Sequence, residues 1–302
     1  MTRAERIKIR AERVRQRRIR MGLEPADASN VASNVASVVI DVQPTTTTTT
    51  TIAPLITEIP SDGKWNIEIC IHCFRYQRRL TWMLSSLLQQ QGDVPNLTVN
   101  ISHTDDDGTP TTAEVCKFFR DKGLNIVETV VTKEEVSNRA LARNRQSSQT
   151  TAHWVLFADS DMVYDTGFFA DLSQQLKGQL KDTQVVMGAD RISLDDKFCT
   201  DYFNEQDKTQ YPRVIENVAQ IVKDFKAKWK TGRGRAPGNF QLISGRVLRE
   251  KCKGKITDRP GDHWRRTKGD RALRARVGGS MGIITKDQWH LNHDRSGPDI
   301  QR

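Results

Sequence analysis

Trp154-Val155-Leu156-Phe157-Ala158-Asp159-Ser160-Asp161-Met162 is the stretch on which the reading of this chain turns. Five apolar residues rich in strand formers stop at two carboxylates one residue apart, the pattern of a buried strand running into a loop. At a strand end, Asp-x-Asp can aim both side chains at one hard cation and offer it oxygen ligands. Mg²⁺ or Mn²⁺ held in this way keeps positions open for the phosphate oxygens of a substrate. The same residues also suit a polar turn that caps the next element, because Asp and Ser favour turns and N-caps.

Upstream of this stretch the periodicity alternates between strand and helix. Residues 66–73 alternate as a strand, and 80–91 carry Leu and Met at helical spacing before Gly92-Asp93. A second strand over 96–103 ends in Thr104-Asp105-Asp106-Asp107-Gly108-Thr109-Pro110. A helix over 112–122, a strand over 124–131 and a helix over 134–151 lead into the 154–158 strand. Downstream, the pattern predicts a helix over 165–181, a strand over 184–189 and an amphipathic helical segment over 214–230. A short strand over 240–244, helices over 246–253 and 270–277, and a strand over 281–285 complete it. This rhythm predicts an α/β fold with a mostly parallel sheet flanked by helices. Ligands in such sheets bind beyond the carboxyl ends of the strands, which is where the Asp clusters fall.

Charge is unevenly spread along the 302 residues, whose formal net charge is +10. Residues 1–20 hold nine Lys/Arg against two Glu, and 223–276 hold 18 against five acids, whereas 21–222 are net acidic. Such asymmetry draws a polyanion to one face, whether a nucleotide diphosphate, a nucleic acid or an acidic glycan. Residues 1–23 read as a basic helix or tail, and 24–62, with seven consecutive threonines at 45–51, as a low-complexity linker too poor in apolar residues to order itself. The folded domain is expected over 63–302, with 63–190 and 191–302 as its two halves. No run approaches the roughly 18 apolar residues of a membrane span and the N-terminus lacks a signal peptide's apolar core, so a cytoplasmic protein is expected. Five cysteines form no repeating framework, and Cys70-Ile71-His72-Cys73 reads as strand residues in preference to half a zinc site.

Taken together, several blocks in order resemble the GT-A nucleotide-sugar glycosyltransferases, family-2-like, over about 65–295. They are Ile69 to Arg75 at the first strand and the loop after it, Leu84-Ser85-Ser86-Leu87-Leu88-Gln89-Gln90-Gln91, and His103 to Thr109. Asn138 through Ala142-Arg143-Asn144 follows, resembling the family's N-x-x-x-A-R-N helix, and then Phe157-Ala158-Asp159-Ser160-Asp161 as the Asp-x-Asp motif. Gly238-Asn239-Phe240-Gln241-Leu242-Ile243, Gly269-Asp270-Arg271-Ala272-Leu273-Arg274-Ala275-Arg276 and Trp289-His290-Leu291-Asn292-His293 close the series. Gly269 stands where the family has Glu, the usual Gly-Gly ahead of it is absent, and the loop after the first strand lacks the family's Pro-Thr-Tyr-Asn.

The resemblance implies a Rossmann-like GT-A domain that moves a sugar from a nucleotide-sugar donor, UDP-linked, to a glycan or other hydroxyl acceptor. Asp161 would ligate Mn²⁺ or Mg²⁺ directly, Asp159 would reach the ribose or a metal-bound water, and His293, or else His290, would complete the shell. Arg143 would contact the diphosphate or the base, Asp105 or Asp106 the nucleobase or ribose, and Arg75 would join the donor-binding set. Asp270 would be the general base of an inverting transfer, with Asp262 in reserve. Each also has a plain structural reading: a packing histidine, a solvated helix cation, a turn, or a helix N-terminal acid favoured by the dipole. Arg233, Arg235, Arg265, Arg266 and Lys268 would close over the diphosphate, hold an anionic acceptor, or solvate a surface. Two other classes compete. One is a transferase acting on modified nucleic acid, or a non-catalytic nucleic-acid-binding protein on a degenerate GT-A fold. The other is a nucleotidyltransferase, against which stands the lack of a Gly-rich phosphate loop after the first strand.

Overall fold

The computed structural model describes residues 63–105, 107–108, 110–181, 183–188, 191–194, 211–224, 229–230, 240–256, 273, 276–278, 281–284 and 288–291. The basic tail and Thr-rich linker lie outside them. A first strand, β1 (Asn66–His72), sets the pattern. Ile67, Ile69 and Ile71 lie on one face, at 0–1% exposure, and Glu68, Cys70 and His72 on the other. Burying one such isoleucine contributes about 1.5–3 kcal/mol.

Helix α1 (Gln77–Leu88) follows, then β2 (Asn96–His103), α2 (Thr112–Asp121) and β3 (Ile126–Val130). Helix α3 (Lys133–Ser137), helix α4 (Arg139–Gln149) and β4 (Trp154–Ala158) lead to the Asp-x-Asp turn. After it come β5 (Met162–Tyr164), α5 (Phe168–Lys177), β6 (Val185–Gly188) and β7 (Arg191–Ser193). The remaining elements are α6 (Val218–Asp224), β8 (Trp229–Lys230), β9 (Phe240–Ser244), α7 (Gly245–Glu250), β10 (Met281–Ile284) and β11 (Gln288–His290).

Seven strands form the main sheet in the order β10-β6-β9-β4-β1-β2-β3. Every neighbouring pair is parallel except those of β9, which runs antiparallel to both β4 and β6. All five residues of β4 are buried, as expected of a central strand covered on both faces. On one face, Leu80, Met83, Leu84 and Leu87 of α1 and Val115, Cys116 and Phe119 of α2 pack on the isoleucines of β1, together with Phe168, Phe169, Leu172 and Leu176 of α5. On the other, Cys70, Val155, Phe157 and Ile243 meet Val247 and Leu248 of α7, with Leu273 and Val277. A second sheet, β5-β11-β7-β8, covers a third cluster that includes Trp82, Val163, Ile215, Val222 and Trp289. Among the described residues, no helix is long and apolar enough to cross a membrane.

Two helices differ from the pattern read in the sequence. The 134–151 helix is broken at Asn138, whose backbone is extended at φ −107°, ψ 94° and ends α3. The Asn138 side chain accepts from the Ala140 N–H at 3.2 Å, so one asparagine stops one helix and caps the next. In the segment expected as helix over 214–230, α6 begins only at Val218, because the backbone of Ile215 is claimed by Ser85 of α1 and by Gln89 just after it. Ile215 N donates to Ser85 Oγ at 2.9 Å, and Ile215 O accepts from Gln89 Nε2 at 2.6 Å. Trp229 and Lys230 pair with β7 instead.

Two predictions follow from this packing. At the β9–α7 junction, Gly245 donates to His153 O at 2.7 Å, and a Cβ built on it would stand 2.0 Å from Ala152 O. Gly245→Ala is expected to lower stability by about 3 kcal/mol or more, a fall in Tm of roughly 6–12 °C in thermal denaturation. Burial pushes the thiols of Cys70 and Cys116 up and that of Cys73 up to about 12, so at pH 8 all three are protonated and covered. Iodoacetamide is expected to spare them in the native protein and to modify them in denaturant, as read by mass spectrometry of the intact chain.

Candidate functional site

The end of β4 and the start of β5 hold the two acids, and the C-terminal strand β11 closes on them. Asp161 O accepts from Leu291 N at 2.8 Å, and β11 pairs antiparallel with β5, placing His290 opposite Met162. That register brings His290 Nε2 to 3.2 Å from Asp161 Oδ2, across 129 positions of sequence. Trp289, beside it, is buried at 4% exposure, with Lys223 Nζ 5.8 Å from its ring centroid. Lys223 also pairs with Asp165 at 2.9 Å, tying α6 to the segment just after β5.

On the other side of the turn, Arg143 projects from α4. Its side chain is only 2% exposed, and its guanidinium carbon lies 5.3 Å from the Phe157 ring centroid. Arg143 Nη2 stands 3.8 Å from Asp159 Oδ1, the distance of an ion pair. Thus Asp159 faces one buried cation and Asp161 faces an imidazole. Tyr164, fully buried nearby, has its phenol pushed up by burial first and then by the negative fields of Asp159 and Asp161, so it stays protonated.

The N-x-x-x-A-R-N block divides its labour. Asn138 caps α4, Asn144 Oδ1 accepts from Ile256 N at 2.7 Å, and Ser147 Oγ donates to Gly254 O at 2.6 Å. Arg143 is the member directed at Asp159. Gln146, absent from the sequence-based site, donates from Nε2 to Ile71 O and Asn100 O at 2.9 and 2.8 Å. No motif signal marked it, because an isolated glutamine in a helix reads as solvent-facing.

The loops after β1 and β2 bring Arg75 and Asp105 to the same sheet edge, since His72 and Ser102 are paired in register. Arg75 is exposed, with its backbone at φ 60° and its guanidinium carbon 5.2 Å from the Phe74 ring centroid. A non-glycine in the left-handed region is uncommon and costs on the order of 1 kcal/mol, a pattern that clusters at ligand-binding loops. The three adjacent acids separate: Asp105 is exposed, whereas Asp107 is wholly buried and serves the fold. Asp107 Oδ1 accepts from Thr112 N at 2.9 Å and its other oxygen from the Thr112 hydroxyl. Asp106, His293, Asp270 and Asp262 lie outside the described residues, as do Arg233, Arg235, Arg265, Arg266 and Lys268.

A divalent cation fits this donor set. Two ligand atoms each about 2.1 Å from one ion and roughly 100° apart are about 3.2 Å from each other. Asp161 Oδ2 and His290 Nε2 have that separation, at 3.2 Å. Among the described residues no group of three acid, His or Cys side chains is gathered as a complete metal shell, so remaining positions would fall to substrate, water or residues outside them.

Comparison with known proteins agrees with the architecture. The model of a family described as "Glycosyl transferase family 2" matches residues 68–234. The crystal structure of Staphylococcus aureus TarS 1–349 superposes with a TM-score of 0.52 at 14% identity, covering 75% of this chain and 60% of that one. The same protein in complex with UDP-GlcNAc gives 0.51 at 12% identity, with 76% and 59% covered. The fold is therefore the GT-A type, and the chain corresponds to about three fifths of the length of those structures. No curated protein matches the chain.

The division among the acids is open to measurement. Asp107→Ala leaves the buried Thr112 amide without its acceptor and is expected to cost about 1–3 kcal/mol. Asp105→Ala, on an exposed side chain, is expected to stay within about 0.5 kcal/mol of wild type. Thermal melts of the two variants side by side distinguish the structural acid from the accessible one.

Proposed function

Because the chain belongs to glycosyl transferase family 2, we propose that it moves a sugar from a nucleotide-sugar donor, most simply a UDP-sugar, to a hydroxyl acceptor. A divalent cation, Mn²⁺ or Mg²⁺, would sit at Asp161. The observation that carries this reading is the meeting of Asp161 and His290 at 3.2 Å, with Arg143 and Asp159 alongside, beyond the carboxyl end of the central strand β4. The capture of UDP-GlcNAc by a protein of the same fold supports the choice of donor class.

Transfer of a glycosyl group requires the leaving diphosphate to be neutralised, the donor oriented and the acceptor hydroxyl deprotonated. When bound, the cation supplies Lewis-acid stabilisation of the diphosphate charge. Asp161 and His290 would hold it, with His293 as a further candidate ligand, and Asp159 would reach the ribose or a metal-bound water. Arg143 presents a planar, permanently charged fork suited to phosphate oxygens, already stacked on Phe157 and so pre-organised. Asp105 or Asp106 and Arg75, from the loops after β2 and β1, would receive the nucleoside. Asp270 is assigned the proton from the acceptor in an inverting single displacement: the acceptor oxygen bonds the anomeric carbon, the bond to the diphosphate breaks, and the proton passes to the carboxylate. The acceptor is a glycan or another hydroxyl compound.

Thermal shift with UDP, in the presence and absence of Mn²⁺, tests the assignment. At a ligand concentration of about 100 Kd, wild type is expected to gain about 2.7 kcal/mol, a rise in Tm of roughly 5–11 °C that requires the cation. Asp161→Asn and His290→Ala are each expected to remove the Mn²⁺-dependent part of the shift. If both variants respond as wild type does, the cation is held elsewhere and the reading fails.

A further inference from the structure

Helix α4 carries Arg143 yet has little apolar grip on the sheet beneath it. In Arg139–Gln149, Ala142 is the one fully buried hydrophobic side chain among the described residues, with Ala140 and Leu141 partly buried. Apolar contact of this kind does not by itself fix how a helix sits along or about its axis, because it is not directional. Polar anchors take over that task. Asn144 and Ser147 tie one side of α4 to the 254–256 turn. Gln146, wholly buried, ties the other side to the sheet.

The Gln146 anchor is specific. Its two amide hydrogens go to two carbonyls on neighbouring parallel strands, Ile71 O of β1 at 2.9 Å and Asn100 O of β2 at 2.8 Å. Turning the amide over would set Oε1 against both carbonyl oxygens, so its orientation is determined by its partners. Asn100 is itself held: its Nδ2 donates to Glu68 Oε1 at 2.7 Å, and its Oδ1 accepts from Thr129 Oγ1 at 2.8 Å. A buried polar chain therefore runs from β3 across β2 and β1 to α4. Gln146 lies three residues after Arg143, so the two share one side of the helix, a single turn apart. At the far end of that turn, Arg143 Nη2 stands 3.8 Å from Asp159 Oδ1, and its guanidinium carbon lies 5.3 Å from the Phe157 ring centroid.

We propose that Gln146 is the positioning residue for Arg143. By clamping α4 to the Ile71 carbonyl of β1 and the Asn100 carbonyl of β2, it sets the guanidinium in register with the loops bearing Arg75 and Asp105, and thereby sets the affinity for the donor's diphosphate. The inference rests on Arg143 as the diphosphate contact described above. A shift of the order of 1 Å in such a group can cost up to about a hundredfold.

A double-mutant cycle on UDP binding with Mn²⁺, by calorimetry, tests this. Gln146→Met keeps the length of the side chain and removes both donors; it is expected to weaken UDP binding roughly tenfold when Arg143 is present. In the Arg143→Ala background the same change is expected to have less than a twofold effect. An equal loss in both backgrounds, or no loss in either, overturns the proposal, because a purely structural role would not depend on Arg143. Gln146→Asn, which keeps the amide one methylene short, reads the same cycle should the methionine variant not fold. If Arg143→Ala alone binds UDP as wild type does, the diphosphate role of Arg143 falls, and this inference with it.

Discussion

Two carboxylates one residue apart, both largely withdrawn from water, repel each other and lose hydration, and a fold that contains them must answer that charge. Here the answer comes from two directions. Arg143 approaches Asp159 from α4, and His290 approaches Asp161 from β11. Everything that places those two groups is in effect part of the site. That includes the break at Asn138, the polar anchoring of α4, and the pairing of β11 with β5. A cation and a diphosphate entering between them would replace one set of compensating charges by another, so the turn is suited to an exchange of partners.

Much of what resembles functional sequence is scaffolding. In the N-x-x-x-A-R-N block around Arg143, Asn138 ends one helix and begins another, and Asn144 pins the 256 turn. Of the three adjacent acids, Asp107 is buried and accepts from the Thr112 amide and hydroxyl at the start of α2, so it serves the fold. A motif of this kind works because its members hold one reaching side chain in place, and the holding residues need hydrogen-bond geometry as strict as that of the group they hold.

The seven strands of the main sheet and their order along the chain were legible before any coordinates, whereas the short strands β5, β7, β8 and β11 of the second sheet were not. β2, β4 and β9 have the bounds read from the sequence, and in β4 burial on both faces leaves an uninterrupted apolar run. The interruptions were harder. Asn138 sits inside a helical pattern, and nothing in the local sequence distinguishes an asparagine that caps from one that faces solvent. The 214–230 segment has helical periodicity throughout, yet its start is unwound by the side chains of Ser85 and Gln89 bonded to the backbone of Ile215. Of the two C-terminal histidines the sequence reading put His293 first; the pairing register of β11 brings His290 to Asp161, and His293 lies outside the described residues.

By itself the sequence determined the class of the fold, the strand that ends in Asp159 and Asp161, and the family to which these belong, because periodicity and adjacency are local properties written in order along the chain. Tertiary structure alone decided which distant groups answer those acids, that Asp107 is buried against Thr112, and that Gln146 fastens the helix bearing Arg143. Those outcomes depend on directional contacts between residues far apart in sequence, and hydrogen bonds a few tenths of an ångström from failure have no counterpart in one-dimensional pattern.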